Sequence, residues 1–541
     1  MNLFKKLIFK SHQKPSYDTN QSGSPGKGMN KQSDSIPKGK IKSFHDSVET
    51  IKKTFKDCND LRQRLLPPGT ITDSPVFVAY FESLVEIKVM EQSFHTINAL
   101  VNSPKNLRPH EASGELELKA VEKLEEAVKM VLYGWTLFIV QSTGQAFVVN
   151  TFKPPVRNLT RSETESTILG PQVAFTESLQ LNLSLVRQEL RTPDLKVKSI
   201  ILGKYTQRVA CVMFVDGIAQ QEYIETIENR LNAIKFDGIL DAASLALMIG
   251  DNPFSPFPQF HVSERPEKMA SQLLDGKIVI MLDGNPFALS GPASFIEFFQ
   301  ASDDYSNSWL AATLVRTLRI MGVLISISLS ALYVAVVTFH YQMIPSDMLV
   351  TLTQSRSRVP FPPLYETLLM EITIELLREA GARLPTKVGQ TIGIVGGIVI
   401  GQAAVTAGLT SNILIIAVAL STLGSFIAPS YLMASTLRTI RFPLIIVSGM
   451  FGLFGLLIGL LMMVLHFLRL SSMGAPYFTP FSPLRLSDLK DTIVRAPMPW
   501  MVFRPTNTRP RDTMRTQFQM PTTEHAIPTN TATDSGKGEE P

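Results

Sequence analysis

Apolar positions along this chain follow two regimes that meet near residue 310, with short alternating runs before it and long uncharged runs after it. The segment Val388–Gly408 is long enough to cross a bilayer's hydrocarbon core as a helix and carries no charge. Gly389, Gly393, Gly396, Gly397, Gly401, Ala404 and Gly408 recur at steps of three and four, so a helix gathers them into one smooth ridge. Ridges of small residues let membrane helices approach backbone to backbone. Gln390, Ile394, Ile398, Gln402 and Val405 fall on the neighbouring face, where polar groups at membrane depth need a partner helix or a wet cavity. Leu318–Tyr341, Asn412–Met433 and Phe442–Leu468 are three more candidate spans. Leu364–Leu377 is apolar but carries Glu366, Glu371 and Glu375, a pattern that fits an amphipathic helix at the interface or at a pore mouth. The pattern therefore predicts an all-α membrane domain of four to five spans. A buried helix of a soluble domain is the alternative for any one of these runs.

Before residue 310 the runs shorten to strand length. Val76–Phe81, Ala210–Val215 and Ile278–Leu282 each end in an acid and a small residue, Glu82-Ser83, Asp216-Gly217 and Asp283-Gly284. Helical patterns follow the first two, and Thr136–Phe152 reads as a hairpin turning at Ser142–Gln145. These features predict a soluble α/β region of two subdomains, 44–155 and 156–285, with the break near Pro154–Pro171. Residues 286–310, entered through the turn Asp283-Gly284 and Pro286, are expected to lie along the membrane and couple the two halves. The membrane domain then covers 311–470, a membrane-proximal segment 471–503, and disordered tails 1–43 and 504–541.

Composition adds limits. The chain has 541 residues, a net charge of +5 and two cysteines, which excludes a disulfide scaffold and fits a reducing compartment. Nine lysines in residues 1–43, among Ser, Gly, Pro and Asn, suit a basic tail that cannot bury a core; such a tail can touch anionic lipid headgroups or remain solvated. No signal peptide is visible in MNLFKKLIFK, so the large N-terminal region is placed on the cytoplasmic side. Arg316 and Arg319 agree with that orientation, whereas Arg438 and Arg441 between the last two spans conflict with it unless a fifth crossing exists. Glu82, Asp216 and Asp283 stand where α/β folds place ligand groups, but Asp-Gly and Glu-Ser pairs also simply make turns. The eight histidines show no metal-ligand spacing, and neither phosphate-loop nor dinucleotide motifs occur. No enzymatic activity, cofactor or nucleic-acid partner is expected.

Several blocks carry a further signal. Asp283–Leu289 (DGNPFAL), Pro292, Phe295, Phe298-Phe299 and Asp303-Asp304-Tyr305 closely resemble the A subunits of GerA-type spore germinant receptors. So do Phe361-Pro362-Pro363 with Glu366 and Glu371, Leu376–Gly381 with Leu384-Pro385, Ile400–Val405, Arg441-Phe442-Pro443, and upstream Gly170-Pro171 with Phe175–Ser178 and Asn182-Leu183. The resemblance runs in order over residues 60–490 and leaves both tails outside.

The resemblance implies a subunit of the spore inner membrane, working beside a transporter-like B subunit and a lipoprotein C subunit to sense nutrients and trigger germination. It also implies a homo-oligomeric ion channel and a soluble region similar to solute-binding domains. Gln390, Ile394, Ile398, Gln402 and Val405 are then candidate pore-lining residues, and Glu366, Glu371 and Glu375 a candidate carboxylate ring at the mouth. Gly389, Gly393, Gly397 and Gly401 would pack the helix against a neighbour. The glutamines can equally bond neighbouring helices, and the carboxylates can pair with Arg378 and Arg383. A non-conducting scaffold that relays a signal, and a secondary transporter, are the competing functions.

Overall fold

The computed structural model describes residues 36–515, apart from 38, 42, 73, 103–115, 154–161, 163, 164, 166, 168, 169, 385–395 and 398. The N-terminal half is built from one plan used twice. Helix α1 (Phe44–Thr54) leads into β1 (Leu61–Leu66) and β2 (Val76–Phe81); α2 (Ile87–Asn102), β3 (Leu118–Val121) and α3 (Leu124–Leu132) follow, then β4 (Trp135–Val140) and β5 (Ala146–Asn150). The second unit repeats the series with α4 (Leu179–Glu189), β6 (Leu195–Leu202), β7 (Arg208–Val215), α5 (Gln221–Ala233), α6 (Ala242–Ile249), β8 (His261–Ser263), α7 (Pro266–Leu274), β9 (Ile278–Leu282) and β10 (Ala288–Gly291). The first sheet has strand order β1-β2-β4-β5-β3 and the second β6-β7-β9-β10-β8, with every pairing antiparallel.

Local chemistry explains the elements. The β-branched and aromatic run of β2, VFVAYF, is buried at five of its six positions because helices and neighbouring chain cover both faces of the sheet. In α3, Leu124, Ala127, Val128, Val131 and Leu132 are buried, a helical stripe three and four residues apart that packs on β1–β5. The three strands marked by a terminal acid are β2, β7 and β9, and the expected hairpin is β4–β5.

A buried ion pair joins the two units. Asp60, just before β1, accepts from Arg187 of α4 through Nε at 2.8 Å and Nη2 at 2.9 Å, and both side chains are 1% exposed. Beside it Cys58 bridges Val197 in parallel, so the chain entering β1 continues along the first half of edge strand β6.

The C-terminal half is helical: α8 (Asp303–Ser306), α9 (Trp309–Phe339), α10 (Ser346–Arg356), α11 (Pro363–Arg383), helical residues at 396–397 and 399–406, α12 (Asn412–Phe426) and α13 (Tyr431–Arg469). Among the described residues two helices are long and apolar enough to cross a membrane, α9 and α13; α12 is apolar but shorter. The expected four to five spans are therefore not reproduced by helix length and composition. The third expected span, Asn412–Met433, breaks after Phe426, and the fourth starts at Tyr431 instead of Phe442.

Nor is α13 one straight rod. Gly452 has φ 60° and ψ −144°, a conformation that glycine tolerates because it lacks a Cβ. A Cβ on Gly459 would lie 2.4 Å from Leu444, and one on Gly455 would lie 2.3 Å from the Val447 carbonyl. Residues 444 and 459 of a continuous helix would be about 22 Å apart. The two limbs, 431–451 and 453–469, therefore fold back on each other, with small residues at their crossing. The tip packs at the far end of α9, where a Cβ on Gly452 would meet His340 and Phe339.

Two segment assignments change. Within the expected coupling segment, residues 288–291 are not exposed: they form β10, buried between β9 and β8, because Ala288, Leu289 and Ser290 complete both ladders. Nor is the chain from 504 a loose tail throughout. Asn507 and Thr508 are buried against the second unit, Arg504 donates to the Leu274 carbonyl and Thr508 to that of Asp275. Residues 516–541, like 1–35, lie outside the described residues.

Candidate functional site

Charge buried where the α/β region meets the helices, and again within the bundle, marks the candidate site. The first cluster forms where α9 begins. Asp304 of α8 accepts from Arg316 Nε and Arg319 Nη1, both at 2.9 Å, and all three side chains are buried. Arg316 also donates to Asp491 Oδ1 at 2.7 Å, and Asp491 Oδ2 accepts from the Tyr305 hydroxyl at 2.8 Å. Burial opposes ionisation of Asp304, yet Arg319 and Arg316 hold its carboxyl below the usual carboxylate range. Burial and the facing Asp491 push the Tyr305 phenol up, so it stays a donor. Arg495 closes the cluster by donating to the carbonyls of Asn307 and Tyr305. The segment before α9 and the segment after α13 are thus clasped to one arginine.

A second cluster ties four helices at one point. Glu371 of α11 accepts from Arg441 of α13 at 2.7 Å and from Ser330 of α9 at 2.6 Å, and Ser421 of α12 accepts from Arg441 at 3.1 Å. Glu371 and Arg441 are each 3% exposed. Glu366, fully buried one turn earlier, accepts from the Ser411 N–H at 2.6 Å and the Thr410 hydroxyl at 3.2 Å, at the N-terminus of α12. This chain's own helices enclose and pair both of these carboxylates. Glu375 is 41% exposed and lies 3.4 Å from both Arg378 and Arg438. Arg383 pairs with Glu379 instead.

The third cluster anchors the α/β region. Glu297, in the one-turn helix Phe295–Phe299, accepts from His261 at 2.9 Å and Lys277 at 2.7 Å through Oε2, and from Asn507 at 2.7 Å through Oε1. Burial and the nearby Lys277 push the His261 imidazole down to about 4, so it is neutral at pH 7. Glu297 is held well below the carboxylate range: burial works against the charge, but Lys277 and His261 outweigh it. Asp251, at the end of α6, accepts from Arg230 and from the backbone of Met473 and Gly474 in the turn after α13.

The sequence-predicted residues are distributed unevenly around these clusters. Gln390, Ile394, Ile398, Gly389 and Gly393 lie outside the described residues. Gln402 is exposed and Val405 half-buried. Among the described residues, a Cβ at Gly397 or Gly401 would meet nothing within 4 Å, whereas one at Gly396 would meet Leu377. The tight glycine contacts are elsewhere, as at Gly424, whose Cβ would stand 2.3 Å from the Gly322 carbonyl. Asp283 and Gly284 face α4 and β7, bonding Leu179, Glu177 and Val209, while Pro286 is half-buried in the same turn. Asn285 and Phe287 are the turn residues that line a cleft of about 270 Å³ with Ser430, Tyr431 and Leu432. Sequence reading missed Asp491, Arg441 and Glu297 as members of clusters. Their one visible signal was charge inside or beside apolar runs. Among the described residues no group of His, Cys, Asp and Glu has a metal-site arrangement.

Known proteins place this architecture. The family described as Bacillus/Clostridium GerA spore germination protein matches residues 49–507. Spore germination protein GerQA of Bacillus cereus is 41% identical over 490 residues, 89% of this chain and 95% of that protein. Spore germination protein A1 of Bacillus subtilis (strain 168) is 37% identical over 461 residues, 84% of this chain and 94% of that one. The membrane protein YfkQ of the same strain is 35% identical over 469 residues, 86% of this chain and 91% of that one. Among solved structures, the N-terminal domain of the A subunit of the Bacillus megaterium spore germinant receptor GerK3 matches with a TM-score of 0.36 and 24% identity, over 48% of this chain and 98% of that one. With a family match over most of its length and relatives this similar across nearly their whole length, the chain belongs to the GerA family of spore germination proteins.

Proposed function

We propose that this chain is the A subunit of a nutrient germinant receptor of the spore inner membrane, assembled with B and C subunits, and that copies of its helical region form an ion channel that opens on nutrient sensing. Family membership and the names of its relatives support the receptor role. The apolar helices α9 and α13 support a membrane setting. Because Asp304 before α9 and Asp491 after α13 share Arg316, both flanks of the helical region lie on one side, which favours an even number of crossings. The reading places that side, with the α/β region, in the spore core.

The observation that carries the channel reading is the open face of the helical residues 396–397 and 399–406. Among the described residues nothing lies within 4 Å of where a Cβ on Gly397 or Gly401 would stand, and Val399, Ile400 and Gln402 are exposed. Neighbouring copies would fill one side of that face and leave the other, with Gln402 and Val405, toward an axis; Gln390, Ile394 and Ile398 would continue the same stripe. Glu375, half-exposed, is the carboxylate best placed to meet cations. Glu371–Arg441 would hold four helices in register while the pore wall moves. No turnover is assigned to the chain.

The test is ion release from potassium-loaded vesicles carrying the purified chain, with oligomer size measured in the same preparation. The reading expects release from oligomers, and its loss together with the oligomer in Gly401→Leu. Stable oligomers that release nothing, alone or with B and C subunits and nutrient, would leave the chain a scaffold. Solute uptake driven by an ion gradient would make it a transporter.

A further inference from the structure

We infer that the connection 251–258 of the second α/β unit, led by Phe254, is a lipid-contacting wedge that seats this unit in the headgroup–acyl boundary of the bilayer. Phe254 is 94% exposed, in the segment Asp-Asn-Pro-Phe-Ser-Pro-Phe-Pro. Leu247 and Tyr431, 65% and 68% exposed, add to it, and exposed apolar groups that gather into a patch mark a surface for an apolar partner. The loop around Phe254 is fixed, because its neighbours are fastened to the apolar hairpin of α13. The Ser255 hydroxyl bonds His466 Nε2 at 2.8 Å, the Pro256 carbonyl accepts from Thr436 at 2.7 Å, and the Phe257 ring packs 4.5 Å from that of Phe467. The Pro258 carbonyl accepts from the Tyr477 hydroxyl at 2.8 Å.

These fastenings set the depth. Thr436 is the sixth residue of the descending limb and His466 lies three residues before the end of the returning limb. At 1.5 Å per residue, the loop therefore reaches about 5–8 Å past the helix ends along the apolar surface. Leu465 and Leu468 are exposed on the returning limb, and Tyr431 opens the descending one at 68% exposure. Leu247 of α6, 65% exposed, lines the same cleft as Leu432 and Pro253. Leu247 and the loop that carries Phe254 thus meet the start of the descending limb in one cleft. An exposed aromatic on a loop fastened at Thr436 and His466, within two turns of Tyr431 and the helix-ending Arg469, has the chemistry of a membrane-interface anchor. The occupant is the bilayer surface itself, and the inference rests on the membrane reading of α13.

Site-directed spin labelling of the full chain in nanodiscs tests it. Cys58 and Cys211 are both buried and free, so a cysteine introduced at an exposed position is the one that takes the label. Phe254→Cys and Leu247→Cys are compared with Tyr205→Cys, 73% exposed on the β6–β7 turn, and with Leu461→Cys, 57% exposed midway along the returning limb. The expected result is a ratio of oxygen to nickel-reagent accessibility at 254 and 247 raised several-fold over 205, approaching that at 461. Water-like accessibility at 254 with a lipid-like signal at 461 would overturn the wedge alone. Shielding of 254 from both reagents would overturn it in favour of protein contact. Water-like accessibility at 461 would remove the membrane reading, and the wedge with it.

Discussion

The unit built on β1–β5 and the unit built on β6–β10 share strand order and antiparallel pairing, yet the chain leading into the third strand carries different chemistry in each. Ahead of its third strand, the first unit has the polar run 103–115, SPKNLRPHEASGE, which lies outside the described residues. The second has Asn-Pro-Phe-Ser-Pro-Phe-Pro-Gln-Phe at 252–260, whose prolines stiffen the chain and whose carbonyls and rings bind α13 and Tyr477. In the second unit, the residues of this one loop make the scaffold a fastening. The first unit is attached to the second through Asp60–Arg187, and the second to the helices through Asp251, Glu297 and the chain after α13. A force on the helical bundle would therefore reach the first unit by way of the second.

The joint between the units is where this comparison breaks most sharply. Asp60→Ala leaves the Arg187 guanidinium buried without its carboxylate, a loss of about 3–5 kcal/mol for a buried pair. Hydrogen exchange of the full chain in detergent should then speed up in β1 and α4, while α9 and α13 stay protected. Unchanged exchange in α4 would mean the pair is not what holds the units together.

The fastening to the helices should yield less. Asp251→Ala removes a charged acceptor shared by Arg230, Met473 N–H and Gly474 N–H, which costs about 2–3 kcal/mol. Faster exchange at 471–476 with an unchanged β1–β5 sheet is expected. Equal acceleration in both units would show that they do not open separately.

Acid should distinguish the units most gently. Below pH 6.5 an unfolded imidazole takes up a proton, whereas folded His261 stays neutral until about pH 4. The unfolded state then binds more protons, so the second unit loses about 1.4 kcal/mol of stability per pH unit across that window. Glu297, with its depressed carboxyl, adds to the loss only as pH falls through the ordinary carboxylate range. Exchange between pH 7 and 5, corrected for the intrinsic rate, should rise in β8 and β10 of the wild type but not of His261→Gln. A pH slope that survives His261→Gln would place the proton uptake elsewhere.

Much of this fold was legible because local periodicity reports local structure. VFVAYF, ACVMFV and IVIML read as strands and became β2, β7 and β9, and the hairpin at 136–152 became β4–β5. The repeat of one topology was less visible, since the two units share a pattern of burial rather than residues. In the helical half, apolar runs located α9, α12 and α13 but not their ends. Pro443 lies inside a helix, whereas Gly452 turns the chain back, and hydropathy is blind to both.

The sequence alone determined which segments are apolar, where the membrane-type helices begin to accumulate and, through blocks such as DGNPFAL, the resemblance to one family. Tertiary structure decided the partners of the charges. Glu366 and Glu371 looked like surface groups because three carboxylates on a short apolar helix have no local partner sufficient to bury them. Ser411 and Arg441, 45 and 70 residues onward, supply those partners. Long-range pairing also turned 288–291 from a surface segment into β10, and drew residues 504–515 onto the second unit. A residue's own pattern reports how much it gains from leaving water. Which group receives it depends on chain folding that brings distant residues within hydrogen-bond range, and no local pattern encodes that distance.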